Sequence, residues 1–76
     1  MGRFGNISGK DAVKIFARIG YYLARQEGSH MILSSDRPGS PILVIPDHKE
    51  LAPALLRAQI KRAGLSVDEF LKLKKG

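Results

Sequence analysis

The chain has 76 residues, 43% of them hydrophobic, with three Phe, two Tyr and no Trp, so its core must be built mainly from Ile, Leu, Val and Ala. At this size only about 60% of the unfolded surface is buried on folding and no second core fits, so one domain over residues 1–76 is expected. The absence of cysteine excludes a disulfide framework and a Cys-containing zinc site, and 13 Lys and Arg against 7 Asp and Glu, net +6, point to polyanions or an acidic protein partner without choosing between them. Met1 to Asn6 carry no apolar signal core, and Asn6 stands where a myristoylation pattern wants Ser or Thr. No apolar run approaches the ~20 residues of a membrane span, so a cytoplasmic setting is the expectation.

Ser8-Gly9-Lys10-Asp11 has the form of a helix start, with Ser8 placed to accept an orphan amide of the first turn and Asp11 placed to reach back. Ala12, Ile15, Phe16 and Ile19 then fall on one helical face, and Gly20 sits where a left-handed cap is usual, so a first helix is predicted over about 8–19. Tyr21 to Arg25 reads as a strand, with one tyrosine in the core and the other half-exposed. Gln26 to Ser29 reads as a link containing Gly28, and His30 to Leu33 as a second strand. Ser34 to Ser40 is a dense turn signal, and Pro41 to Ile45 is a third strand, closed by Pro46 and apolar throughout, so that its inward face stays open. Pro53 suits a first helical position; Leu56, Ile60 and Ala63 share a stripe, and Gly64 ends it. Ser66-Val67-Asp68-Glu69 opens a short last helix with Val67, Phe70 and Leu71 as its apolar face, and the tail from Lys72 reads as frayed. The predicted class is α+β: a two-layer sandwich of a three-stranded antiparallel sheet with helices on one face, in the order α-β-β-β-α plus a short C-terminal helix.

Several stretches together carry a resemblance. Ser8-Gly9-Lys10, Gly20-Tyr21-Tyr22 leading to Arg25-Gln26-Glu27-Gly28-Ser29-His30, and Val44-Ile45-Pro46-Asp47-His48-Lys49-Glu50-Leu51 resemble the HicA toxin family, as do Leu56-Arg57, Ala63-Gly64-Leu65-Ser66 and Glu69-Phe70-Leu71. The similarity is collinear over nearly the whole chain. It implies a fold like the double-stranded-RNA-binding domain and the toxin of a type II toxin-antitoxin system. That toxin would be a ribonuclease cleaving messenger RNA, neutralised by a cognate HicB-like antitoxin, with no metal or cofactor implied. The family's catalytic histidine lies in a Gly-Ser-His element, which here places the role on His30. Family members usually carry basic or aromatic residues in the second strand, where this chain has Met31, Leu33, Ser34 and Ser35. Where they tend to have Gly-Thr at the second helix start, it has Ala54-Leu55.

A histidine can take the proton from a ribose 2′-hydroxyl or give one to the leaving 5′-oxygen, which suits metal-free cleavage of RNA and not DNA. Gly28 and Ser29 would let backbone amides and a hydroxyl approach a phosphate. From local chemistry alone, a lone histidine in a hairpin reads first as a turn residue; the resemblance points the other way for His30. His48, just before the second helix, either assists His30 or caps a helix start. Lys10, Lys14 and Arg18 form one basic stripe and Arg57, Lys61 and Arg62 another; each reads as an RNA contact or as a solvated helix face. Arg25, on the strand leading into the His30 element, is the basic residue expected nearest substrate phosphate. The alternatives are a non-catalytic double-stranded-RNA-binding module with the same basic stripes, and an inert interaction domain matched to an acidic partner.

Overall fold

The structure is a computed structural model and describes Phe4 and residues 6–75; residues 1–3 and 5, on which the targeting expectation partly rests, lie outside the described residues. Chain order is α1 (Gly9–Ala17), β1 (Tyr21–Glu27), β2 (His30–Ser35), β3 (Leu43–Pro46), α2 (Pro53–Arg62) and α3 (Val67–Lys75). The strands form one antiparallel sheet in the order β1-β2-β3. Element order and sheet are those expected, and they are consistent with the double-stranded-RNA-binding-domain-like arrangement.

α1 starts where its capping residues dictate. Ser8 Oγ accepts from the Asp11 amide at 3.0 Å and the Asp11 carboxylate accepts from the Ser8 amide at 3.2 Å. The Ser8 amide first, and then the Ser8 hydroxyl, hold the Asp11 carboxyl below the usual carboxylate range. The Gly9 amide donates to the His48 carbonyl at 2.9 Å, which brings the start of α1 against the exit of β3. A Cβ added at Gly9 would run into the Pro46 carbonyl oxygen and come within 2.9 Å of Met31 Cε. Gly→Ala in a helix ordinarily stabilises by up to ~1 kcal/mol, but here overpacking decides the sign. Gly9→Ala is expected to destabilise by about 1–3 kcal/mol, read as a lower urea midpoint at unchanged slope; a raised midpoint would contradict the close approach.

In the sheet, Met31 and Leu33 of β2 and Leu43 and Ile45 of β3 are buried, whereas Val44 is exposed. The open question of which face of the third strand turns inward is thus settled by register: Leu33 pairs with Leu43 and Met31 with Ile45. Tyr21 is buried and donates to the Pro41 carbonyl at 2.8 Å, while Tyr22 is half-exposed, as expected of the pair. Phe16 of α1 lies 6.1 Å from the Tyr21 ring and 5.2 Å from that of Phe70 on α3; Phe4 meets Phe70 edge-on at 6.3 Å. The buried apolar residues form one cluster.

Several boundaries differ from expectation: α1 ends at Ala17, two residues before Ile19, and β3 includes Pro46. β1 runs on through Gln26 and Glu27, and β2 through Ser35, because the two strands pair along their whole length and tertiary pairing outlasts local propensity. β3 starts at Leu43, after Pro41 and Ile42. The tail is not frayed from Lys72: α3 continues to Lys75, with Leu71 and Leu73 packed on the core and Lys74 Nζ donating to the Phe4 carbonyl at 3.0 Å. α2 starts at Pro53 with Ala52 as an N-cap that makes no side-chain bond, so the missing Thr cap is not replaced by another side chain. α3 has the expected box, Ser66 amide to Glu69 Oε1 at 2.8 Å and Glu69 amide to Ser66 Oγ at 3.1 Å.

Candidate functional site

The hairpin between β1 and β2 has a two-residue loop, because Glu27 pairs with His30. Gly28 takes a φ of 60° and Ser29 a negative one, the sign pattern of a II′ turn with glycine at its first central position. His30 is therefore the first residue of β2. It alternates with buried Met31, so its side chain belongs to the face of the sheet away from the helices.

β1 turns Arg25 and Glu27 to that face only through an irregularity. Leu23 pairs with Leu33, but Arg25 pairs with Ile32, so Ala24 is an extra residue opposite no partner. Strict alternation from buried Tyr21 would put Arg25 and Glu27 on the helix side. The bulge turns both to the side of His30. Glu27 stands directly opposite His30, at a cross-strand spacing of about 5 Å between Cβ atoms. The Arg25 Nε bonds Glu27 Oε2 at 2.8 Å, and both side chains are largely in solvent.

Behind the turn, the Asp47 amide donates to the Ser29 carbonyl at 2.6 Å. Gln26 Nε2 donates to the Gly28 carbonyl at 3.1 Å and to Asp47 Oδ2 at 3.4 Å. With the bond from Gly9 to His48, these tie the hairpin tip, the exit of β3 and the start of α1 into one end of the molecule. That end gathers Gly28, Ser29, His30, Arg25, His48 and Lys10. His48 is exposed, and its carbonyl, not its ring, serves the helix start; the helix is α1, not α2. Among the described residues neither imidazole has a hydrogen-bond partner, and no bond joins them.

The remaining predicted contacts lie elsewhere. Lys14 lines a cleft between α1 and α3 with Arg18 and Lys74. In the second stripe, Arg57 stacks 5.9 Å over the Phe4 ring and Arg62 Nε donates to the Ile42 carbonyl at 2.8 Å, so these two are engaged in packing and in covering the β3 edge; Lys61 is exposed. Gln59 Oε1 covers the same edge by accepting from the Val44 amide at 3.3 Å. Sequence reasoning missed Glu27, Gln26 and Asp47 around the turn, because their roles depend on strand pairing. On the open face that carries His30, Val44 (41%) stands exposed opposite Ile32, and Tyr22 (46%) stands opposite Ser34 at the far end of the hairpin.

Among the described residues no three of His, Cys, Asp and Glu come together as a metal-binding group, and no helix is long and apolar enough to cross a membrane. Chemically, the site offers a solvent-facing imidazole, a carboxylate opposite it, a guanidinium beside that carboxylate and an adjacent glycine turn.

Residues 9–65 match the family model of the HicA toxin of bacterial toxin-antitoxin systems. The chain belongs to the HicA toxin family. No curated protein matches it. Family membership implies that this HicA chain is the toxin of a pair and that an antitoxin is its partner. The matched span contains α1 through α2 and both histidines, and it stops short of α3. The HicA core here is nonetheless completed from outside that span, by Phe70 of α3 and by Phe4.

Proposed function

We propose that this HicA protein is an endoribonuclease that cleaves messenger RNA in the cytoplasm and arrests translation, with His30 as general acid or base and a HicB-like antitoxin as its inhibitor. The observation that carries the reading is the setting of His30: an exposed imidazole without a hydrogen-bond partner among the described residues, at a glycine turn, on the same sheet face as Arg25 and Glu27. An imidazole buried with both nitrogens satisfied would have had no access to substrate. On this reading His30 takes the 2′-hydroxyl proton or protonates the leaving 5′-oxygen, and the neighbouring 2′-oxygen attacks phosphorus to leave a 2′,3′-cyclic phosphate. Arg25, Gly28 and Ser29 would meet the phosphate, His48 and Lys10 the adjoining strand, and Lys14, Arg57 and Lys61 more distant phosphates. No cofactor enters, since a histidine and the substrate's own hydroxyl supply the chemistry.

The test is incubation of the purified protein with messenger RNA, followed by analysis of the new 3′ ends. Cyclic phosphate ends are expected. Salt-sensitive binding with intact RNA after long incubation would instead identify a non-catalytic RNA-binding module.

A further inference from the structure

The geometry points to a second anion site, in the cleft between α1 and α3, that holds a phosphodiester of the RNA strand away from His30; the identity of the ligand rests on the ribonuclease reading above. The cleft has a volume of about 330 Å³ and is lined by Asp11, Lys14, Ile15, Arg18 and Lys74. Three cations thus face one carboxylate. That carboxylate accepts from the Ser8 amide in the α1 cap and offsets part of the charge of Lys14 and Lys74, which leaves the cleft cationic. Lys74 is held in place by its bond to the Phe4 carbonyl, with its remaining N–H groups available. Lys14 and Arg18 have no ion pair among the described residues. Three cations against one carboxylate leave an excess of positive charge on a concave wall, and an anion between them relieves the remaining repulsion. Ile15 supplies an apolar floor on which a ribose can rest.

The cleft connects to the histidine end. Lys10, Lys14 and Arg18 recur every four residues, which at 1.5 Å per residue spaces them by about 6 Å along the helix. The row begins beside Gly9, whose amide is bonded to His48, and ends in the cleft. A strand leaving the His30 end therefore meets a cation at each step. The size of the cleft favours RNA over an acidic protein, since it admits one sugar-phosphate unit whereas a protein partner typically covers about 800 Å². Lys74 lies beyond the residues that match the family, so the cleft is not built from the family span alone.

The experiment titrates a fluorescent, uncleavable 2′-O-methyl RNA strand at several salt concentrations by anisotropy. Each lost phosphate contact lowers the slope of log K against log salt by about 0.7, so the triple variant Lys14→Ala/Arg18→Ala/Lys74→Ala should lose ~2 from the slope. The double variant Lys14→Ala/Arg18→Ala, which breaks no internal hydrogen bond, should lose about 1.4. Lys72→Ala, a charge loss on α3 outside the cleft, should leave the slope within error. On cleavable RNA the double variant should raise KM at unchanged kcat. Unchanged slopes in both cleft variants overturn the proposal. So does displacement of the RNA by polyglutamate at equal charge concentration, which would assign the cleft to an acidic protein. Binding is read apart from cleavage, so an inactive wild type with the expected slopes overturns the ribonuclease reading alone, and an active one with unchanged slopes overturns the cleft alone.

Discussion

Replacing His30 by Ala is expected to lower RNA cleavage by roughly 10²–10⁴-fold, the usual contribution of a positioned general acid or base. Induced in a host without antitoxin, the variant should no longer arrest growth. Stability should hardly change, because the side chain is exposed and makes no hydrogen bond among the described residues. The comparison is therefore between two folded proteins, and equal unfolding midpoints establish that. Equal growth arrest and equal messenger loss with wild type and variant would remove His30 from the mechanism. His48→Ala and Glu27→Gln separate the remaining roles: a partner in proton transfer lowers kcat, whereas a residue that only meets the strand raises KM. Glu27 is the closer candidate by register, since it faces His30 across the hairpin.

The largest effect on stability is expected at Phe16, where Phe16→Ala should lower the unfolding free energy by about 3–5 kcal/mol. Small domains have only about 5–15 kcal/mol in total, so the variant should be partly unfolded near physiological temperature. Phe16 is fully buried and joins three elements, its ring lying against Tyr21 of β1 and Phe70 of α3 while its backbone belongs to α1. Removing the ring opens a cavity that those neighbours cannot all close. The same loss would loosen the seat of α1 and with it the bond from Gly9 to His48. Urea unfolding followed by circular dichroism measures the change, with Tyr22→Ala as a half-exposed aromatic control. A loss below about 1 kcal/mol at Phe16 would mean that the core collapses around the gap and that this ring is not its junction.

Sequence reading located the elements well and their faces poorly. Ser8 with Asp11 and Ser66 with Glu69 form both of their predicted boxes. Gly20 and Gly64 take the positive φ expected after α1 and α2. His30 was singled out by its Gly-Ser-His setting, whereas Glu27, which pairs opposite it, was read as part of a link. The second basic stripe read as one surface, yet Arg57 lies over the Phe4 ring and Arg62 donates to the Ile42 carbonyl.

By itself the sequence determined what acts over a few residues: caps, turn glycines, helical periodicity and the order of elements. It also determined the family, through collinear motifs. Only the tertiary structure decided which face each residue joins. The bulge at Ala24 turns Arg25 and Glu27 toward His30, and an alternation rule cannot foresee an unpaired residue that exists only against a partner strand. Leu43 and Ile45 turn inward because β2 and the helices receive them, although the third strand is apolar throughout. The α1–α3 cleft joins Lys14 to Lys74 across almost the length of the chain, and no local signal carries over that distance. Packing does, because burying Phe70 beside Phe16 fixes where α3 lies and so where its lysine stands.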